Sequence, residues 1–128
     1  MATFTDAQTD AINAQGGSVL VSAAAGSGKT TVLIERIIRM ITRRENPIDV
    51  DRLLIVTFTR AAASEMKERL AKAINSLLEN DPYNSLLLRQ RQLMYNTSIC
   101  TIDSFCGSVV REYFHIPVSY THLRAHET

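Results

Sequence analysis

The chain has 128 residues, of which 45% are hydrophobic and 21% charged, and 14 Lys and Arg against 13 Asp and Glu give a formal net charge of +1. That is one globular domain at most, and it sets aside disordered, collagen-like and low-complexity polypeptides. The near-neutral balance argues against coating nucleic acid by bulk electrostatics, but leaves room for a strand held through a few local contacts.

The opening MATFTDAQTD is polar and acidic where a secretory signal would be basic and then apolar. No run of about 18 apolar residues follows, so no membrane-spanning helix is expected, and the expected location is cytoplasmic. Thr5 followed by Gln8 is a capping box, which predicts a short helix from about Asp6 to Ala14 that stops at Gly16-Gly17. Three apolar, β-branched runs, Ser18 to Ser22, Leu53 to Thr59 and Ser98 to Ile102, alternate with longer segments of helical period. This alternation predicts an α/β fold, a parallel sheet with flanking helices.

From Lys29, the residues Val32, Leu33, Ile37, Ile38 and Ile41 recur at helical spacing and predict a crossover helix that ends before Asn46-Pro47. Its arginines, Arg36, Arg39, Arg43 and Arg44, could grip phosphate. The simpler reading is a solvated face whose late charges complement the helix C-terminus. A second apolar stripe, Met66, Leu70, Ile74, Leu77 and Leu78, predicts a helix from Ala61 to near Asn80. Another helix is expected from Tyr83 to about Tyr95, and Phe105, Val109, Val110 and Phe114 suggest a last one. Cys100 and Cys106 lack the number for a disulfide scaffold and the spacing for a zinc site, and are expected to be reduced, mostly buried thiols.

AAAGSGKT, Ala23 to Thr30, lies between a predicted strand and a predicted helix, the context a phosphate-binding loop needs. In that loop Ala23, Ala24, Ala25, Gly26, Ser27, Gly28, Lys29, Thr30 and Thr31 surround the nucleotide. Gly26 and Gly28 let the backbone take positive φ, so that successive N–H groups converge on phosphate oxygens at a helix N-terminus. Lys29 reaches the terminal phosphates as a point charge, and the Thr30 hydroxyl is placed to ligate Mg²⁺. The expected ligands are therefore ATP and Mg²⁺, with Lys29 and Thr30 in the catalytic roles and Thr30 on the metal.

Other segments line up with this loop in order. FTDAQ (Phe4 to Gln8) resembles the motif upstream of the phosphate loop in superfamily 1, UvrD/Rep-like, DNA helicases, whose Gln reads the adenine edge with one donor and one acceptor. AAAGSGKT is similar to that family's loop, where an initial Ala is common. TFTRAAASEM (Thr57 to Met66) and TIDSFC (Thr101 to Cys106) resemble its motifs Ia and Ib, which line the single-stranded DNA track. Within the family, IERIIRMIT, DVDRLLIVTFT and VVREYFH are most similar to the N-terminal end of the AddA-type helicase/nucleases.

The resemblance implies a RecA-like P-loop fold for residues 1–118, as the N-terminal part of motor domain 1A. It implies 3′ to 5′ unwinding and resection of DNA ends in double-strand break repair, single- and double-stranded DNA as substrates, and a nuclease partner subunit of the AddB type. Gln8 would read adenine, and Thr57, Phe58, Thr59, Arg60, Thr101 and Ser104 would contact DNA, by hydroxyl or charge to phosphate and by ring to base. Motif Ib often carries His where this chain has Asp103, and a carboxylate cannot donate to phosphate. Asp103 is expected to cap the following helix instead.

A helicase motor also needs a strand ending in Asp-Glu and arginines from a second motor domain. No apolar run here ends in Asp-Glu, so the chain reads as an N-terminal fragment, inactive in isolation. Residues 119–128, SYTHLRAHET at Ser119 onward, depart from the pattern and read as a non-native or linker tail. The competing readings are a UvrD/Rep-type repair helicase without a nuclease, and a small stand-alone P-loop kinase with Ile99 to Asp103 as its acidic strand. A third is a DNA-binding module that has lost its motor, against which the intact Gly28-Lys29-Thr30 argues.

Overall fold

The computed structural model describes residues 3–22 and 28–115. Its first helix, α1 (Asp6–Asn13), starts as the sequence requires. Thr5 Oγ1 accepts from the Gln8 amide at 3.3 Å, and Gln8 Oε1 accepts from the Thr5 amide at 2.9 Å. Reciprocal bonding of this kind satisfies two amides that the helix itself cannot. After α1, Gly16 (φ +74°) and Gly17 (φ +66°) turn the chain through the left-handed region that their missing side chains permit.

The run Ser18 to Ser22 is not a strand, which corrects the first expected element. A strand exists by pairing, and β composition alone supplies only a tendency. Among the described residues nothing pairs with this run, and Leu20 is 93% exposed. The sheet therefore has two strands among the described residues, β1 (Leu54–Thr57) and β2 (Ser98–Thr101). They are parallel, with Leu54 opposite Ser98 and Thr57 opposite Thr101. Both are shorter than expected, because Thr59 and Thr101 leave the extended run to cap helices.

Between the strands run α3 (Arg60–Asn80), α4 (Ser85–Leu93) and a short 3-10 turn at Met94–Asn96, the long crossover that parallel pairing demands. Asn84, not Tyr83, opens α4, by accepting from the Leu87 amide at 3.1 Å. The final helix, α5 (Ile102–Tyr113), follows β2 without a linker. Its cap is Thr101, whose Oγ1 accepts from the Ser104 amide at 3.1 Å. This corrects the assignment of the cap to Asp103, which sits in the first turn and favours the helix dipole there.

The second helix in chain order, α2 (Lys29–Thr42), packs on α3 over one face of the sheet. Ile34, Ile37, Ile38 and Ile41 of α2 meet Met66, Leu70, Ile74 and Leu78 of α3, with Ile55 of β1 beneath. Ile41, Leu70 and Ile74 are completely buried, and truncating such a side chain to Ala costs about 2–5 kcal/mol. Two expected stripe residues fall outside this core. Leu33 is 38% exposed, with Ile34 taking its place, and Leu77 lies at the margin of its stripe. Cys106 is exposed and Cys100 half-buried, so the expectation of buried thiols fails for Cys106; both are free. α5 is amphipathic yet buries none of its side chains.

One polar group is completely enclosed. Gln90 of α4 accepts from the Val50 amide through Oε1 and donates to Asp49 Oδ1 through Nε2, both at 2.8 Å. Arg89 grips the same carboxylate with two bonds, at 3.2 and 2.9 Å. The chain entering β1 is thereby pinned to α4 across 40 residues. Hydrogen bonds from Arg89 and then Gln90 hold the Asp49 carboxyl down at about 2 from an ordinary value of 3.8. A depressed carboxyl stabilises the fold above its unfolded value and loses that contribution as pH falls through its folded value. Asp49→Asn is therefore expected to lower the melting temperature by a constant amount above about pH 4, with the gap to wild type closing toward about pH 2. Thermal melts of the 128-residue chain across that range check this, and a gap independent of pH would contradict it.

Candidate functional site

Residues 23–27 of the expected phosphate loop, Ala23, Ala24, Ala25, Gly26 and Ser27, lie outside the described residues, as do residues 119–128. The described part begins at Gly28, which takes φ +82° and serves as the N-cap of α2. Among the described residues no side chain caps this N-terminus, and no acidic residue lies in its first turn. Its leading amides and the positive end of its dipole thus suit an anion. Lys29 and Thr30 are the first two residues of the helix, which puts an ammonium and a hydroxyl at that same end.

Gln8 stands beside them. A Cβ built on Gly28 would come within 3.3 Å of Gln8 Nε2, so α1 and the start of α2 approach as closely as a glycine allows. Ala7, Gln8, Ala11, Val21, Ser22, Lys29 and Val32 line a common cavity of about 110 Å³. A carboxamide at one side, an ammonium at the other and apolar walls between them suit a flat heterocycle joined to a phosphate chain. The residues fit a nucleoside triphosphate with its cation, Thr30 being the hydroxyl positioned for the metal. Among the described residues no group of three or more His, Cys, Asp or Glu forms a metal cluster. Thr31, expected near the nucleotide, accepts at Oγ1 from Arg69 Nη2 of α3 at 3.1 Å, tying the start of α2 to the neighbouring helix.

The remaining expected residues gather at one end of the sheet. Because Thr57 pairs with Thr101, the segments Phe58–Arg60 and Ile102–Ser104 leave the carboxyl ends of adjacent parallel strands together, where open α/β sheets bind ligands. Phe58 is 94% exposed, which removes the alternative that it belongs to the core. Thr59 caps α3 by accepting from the Ala62 amide at 3.1 Å. Arg60 is exposed in the first turn of α3, a place where the helix dipole disfavours a cation unless an anion is near.

The hydroxyls divide into two kinds. Thr57 Oγ1 donates to the Thr59 carbonyl at 2.8 Å, and Thr101 Oγ1 donates to Ser104 Oγ at 2.8 Å. A hydroxyl has one proton, so these two are committed to shaping the loops. Thr59 and Ser104 accept in the bonds just described and keep a proton for an incoming oxygen. Asp103 lies in the first turn of α5 and ends no strand, which removes the acidic strand that a stand-alone kinase would require.

The arginines of α2 read in the sequence as a solvated face, and the structure corrects this for two of them. Arg36 donates to backbone carbonyls of α1, and Arg39 donates to Asn13 Oδ1 at 2.7 Å while pairing with Glu35. No sequence signal marks these contacts, since they join residues more than 20 positions apart.

Comparison with known proteins agrees with this arrangement. Residues 4–122 match the UvrD/REP helicase N-terminal domain. The chain is 55% identical over 113 residues to the AddA-type ATP-dependent helicase/nuclease of Clostridium perfringens, a match covering 88% of this chain and 9% of that protein. The proteins of the same name from Clostridium novyi and Anoxybacillus flavithermus are 57% and 54% identical, with the same coverage. The chain thus spans about 9% of the length of these relatives. A match running from the capping box of α1 past the end of α5 takes in both the nucleotide side and the sheet-end side of the site, and the chain belongs to the UvrD/REP helicase N-terminal domain family.

Proposed function

We propose that this chain is the N-terminal part of a RecA-like motor domain, domain 1A, in a longer ATP-dependent DNA helicase of the AddA helicase/nuclease type. In this reading residues 1–118 carry the domain, and the cytoplasm is its location. The whole protein unwinds and resects DNA ends in double-strand break repair, moving 3′ to 5′ beside a nuclease partner of the AddB type. The observation that carries the reading is the meeting of Gln8, Gly28 and Lys29 at one cavity, with an uncapped helix N-terminus behind them.

The residues then divide the work. Gln8 reads the adenine edge through its carboxamide. The loop from Ala23 to Gly28 supplies backbone N–H groups, and Lys29 meets the terminal phosphates and the charge that develops on them. Thr30 would hold Mg²⁺, which neutralises phosphate charge when bound. At the sheet end, Phe58 stacks on a base, while Arg60, Thr59 and Ser104 meet phosphates, with Thr57 and Thr101 holding those loops in shape. Arg69, bonded to Thr31, lies on the helix that opens at the DNA contacts and touches the helix that opens at the nucleotide.

Two measurements test the two halves of the site. In the full-length protein, Lys29→Ala is expected to lower DNA-stimulated ATP hydrolysis by about 10²–10³-fold, the loss typical of removing one preorganised charge-stabilising donor. Hydrolysis at the wild-type rate would overturn the nucleotide assignment. For the DNA half, Phe58→Ala should weaken binding of a single-stranded oligonucleotide by about 1–3 kcal/mol at every salt concentration. Arg60→Ala should instead make the salt dependence shallower by about 0.7 in the log–log slope. Fluorescence anisotropy over a salt series separates the two, and unchanged affinity in both variants would remove this surface from the DNA track.

A further inference from the structure

α1 is only eight residues long and ends without a basic residue in its last turn, so its final carbonyls need partners from elsewhere. Arg36 supplies them from α2. Its Nη1 donates to the carbonyls of Ala11 at 2.9 Å, Ile12 at 3.3 Å and Ala14 at 2.7 Å. A guanidinium set into the negative end of a helix dipole makes charge-assisted bonds, stronger than those of a neutral donor. On the same helix, Gln8, Ala11 and Ile12 share one face, since residues three and four apart lie one above another. Ile12 is buried, and Ala11 lines the cavity that holds Gln8 and Lys29.

We infer that Arg36 is a positioning residue for nucleotide recognition: by clasping the C-terminus of α1 it docks that helix on α2 and holds Gln8 against Gly28, over the base. The inference rests on the base-reading role proposed for Gln8. Arg36 follows Lys29 by two helical turns and stands at the far end of α1 from Gln8, so it acts through α1 and not by touching the nucleotide. Without the clasp α1 keeps its capping box, which is internal to it, but its placement leans more heavily on Ile12 and on the Arg39–Asn13 bond. The capping box makes Gln8 part of a rigid helix end, so a small rotation of α1 moves the carboxamide as a unit.

The test uses the full-length protein with saturating single-stranded DNA and compares kcat/KM for ATP with that for ITP, which carries a carbonyl in place of the adenine amine. Gln8→Ala calibrates the reading and should reduce the preference for ATP by about tenfold, the worth of one ordinary hydrogen bond. Arg36→Met should reduce it to the same level, raising KM for ATP while leaving kcat within about threefold, as loss of uniform binding does. The double variant should be no worse than either single one. A wild-type preference in Arg36→Met, with Gln8→Ala impaired, would overturn the role of Arg36 and leave that of Gln8 standing. A wild-type preference in Gln8→Ala would overturn the base-reading role, and this inference with it. If circular dichroism shows Arg36→Met unfolded, Arg36→Lys keeps the charge without the planar fork and is read the same way, with a lowered preference supporting the inference and a wild-type preference overturning it.

Discussion

The left-handed turn at Gly28 is the constraint on which the nucleotide side of this chain depends. With φ at +82° it aims the chain into α2, leaves that helix without a side-chain cap, and lets Gln8 come to a distance no larger residue would tolerate. A β-carbon there would suffer twice, from the backbone region itself and from the carboxamide lying 3.3 Å away. The carboxamide, the ammonium of Lys29 and the hydroxyl of Thr30 are thus brought to one place by the residue that has no side chain.

The other half of the site follows from parallel pairing. Two strands in register end together, and each is followed at once by a helix whose cap is a threonine, Thr59 for α3 and Thr101 for α5. Helix N-termini therefore lie side by side at the carboxyl ends of the strands, with an exposed aromatic and an exposed arginine at the same edge. The α2–α3 core then joins the two halves: buried isoleucines of one helix against leucine and isoleucine of the other, with Arg69 bonded to Thr31 across the seam. Cores so packed transmit displacement instead of absorbing it.

What could be read in the sequence was what local chemistry decides. The capping box at Thr5 and Gln8, the start of α2 at Lys29, the long stripe of α3 and the strand runs before Thr57 and Thr101 all follow from spacing or from one side chain's reach. Ser18 to Ser22 had the composition of a strand and no partner among the described residues, and a strand is a property of two segments. Arg36 and the trio of Asp49, Arg89 and Gln90 were hidden for the same reason, since their partners stand 22 to 41 residues away. Asp103 and Thr101 were confused because both residue types cap helices, and only the end of β2 decides which one stands at the boundary.

The threonines show how far a motif can be divided by geometry. A phosphate oxygen requires a donor, and the protons of Thr57 and Thr101 are already directed at the Thr59 carbonyl and at Ser104 Oγ. Residues of one type at one sheet edge therefore do different work: Thr57 and Thr101 shape the two loops, while Thr59 and Ser104, which accept in their own caps, retain a proton to give. Such a division makes the loops rigid before any ligand arrives, so the entropy of ordering them is already spent in folding. It also explains why both strands end in threonine without requiring either terminal hydroxyl to touch DNA.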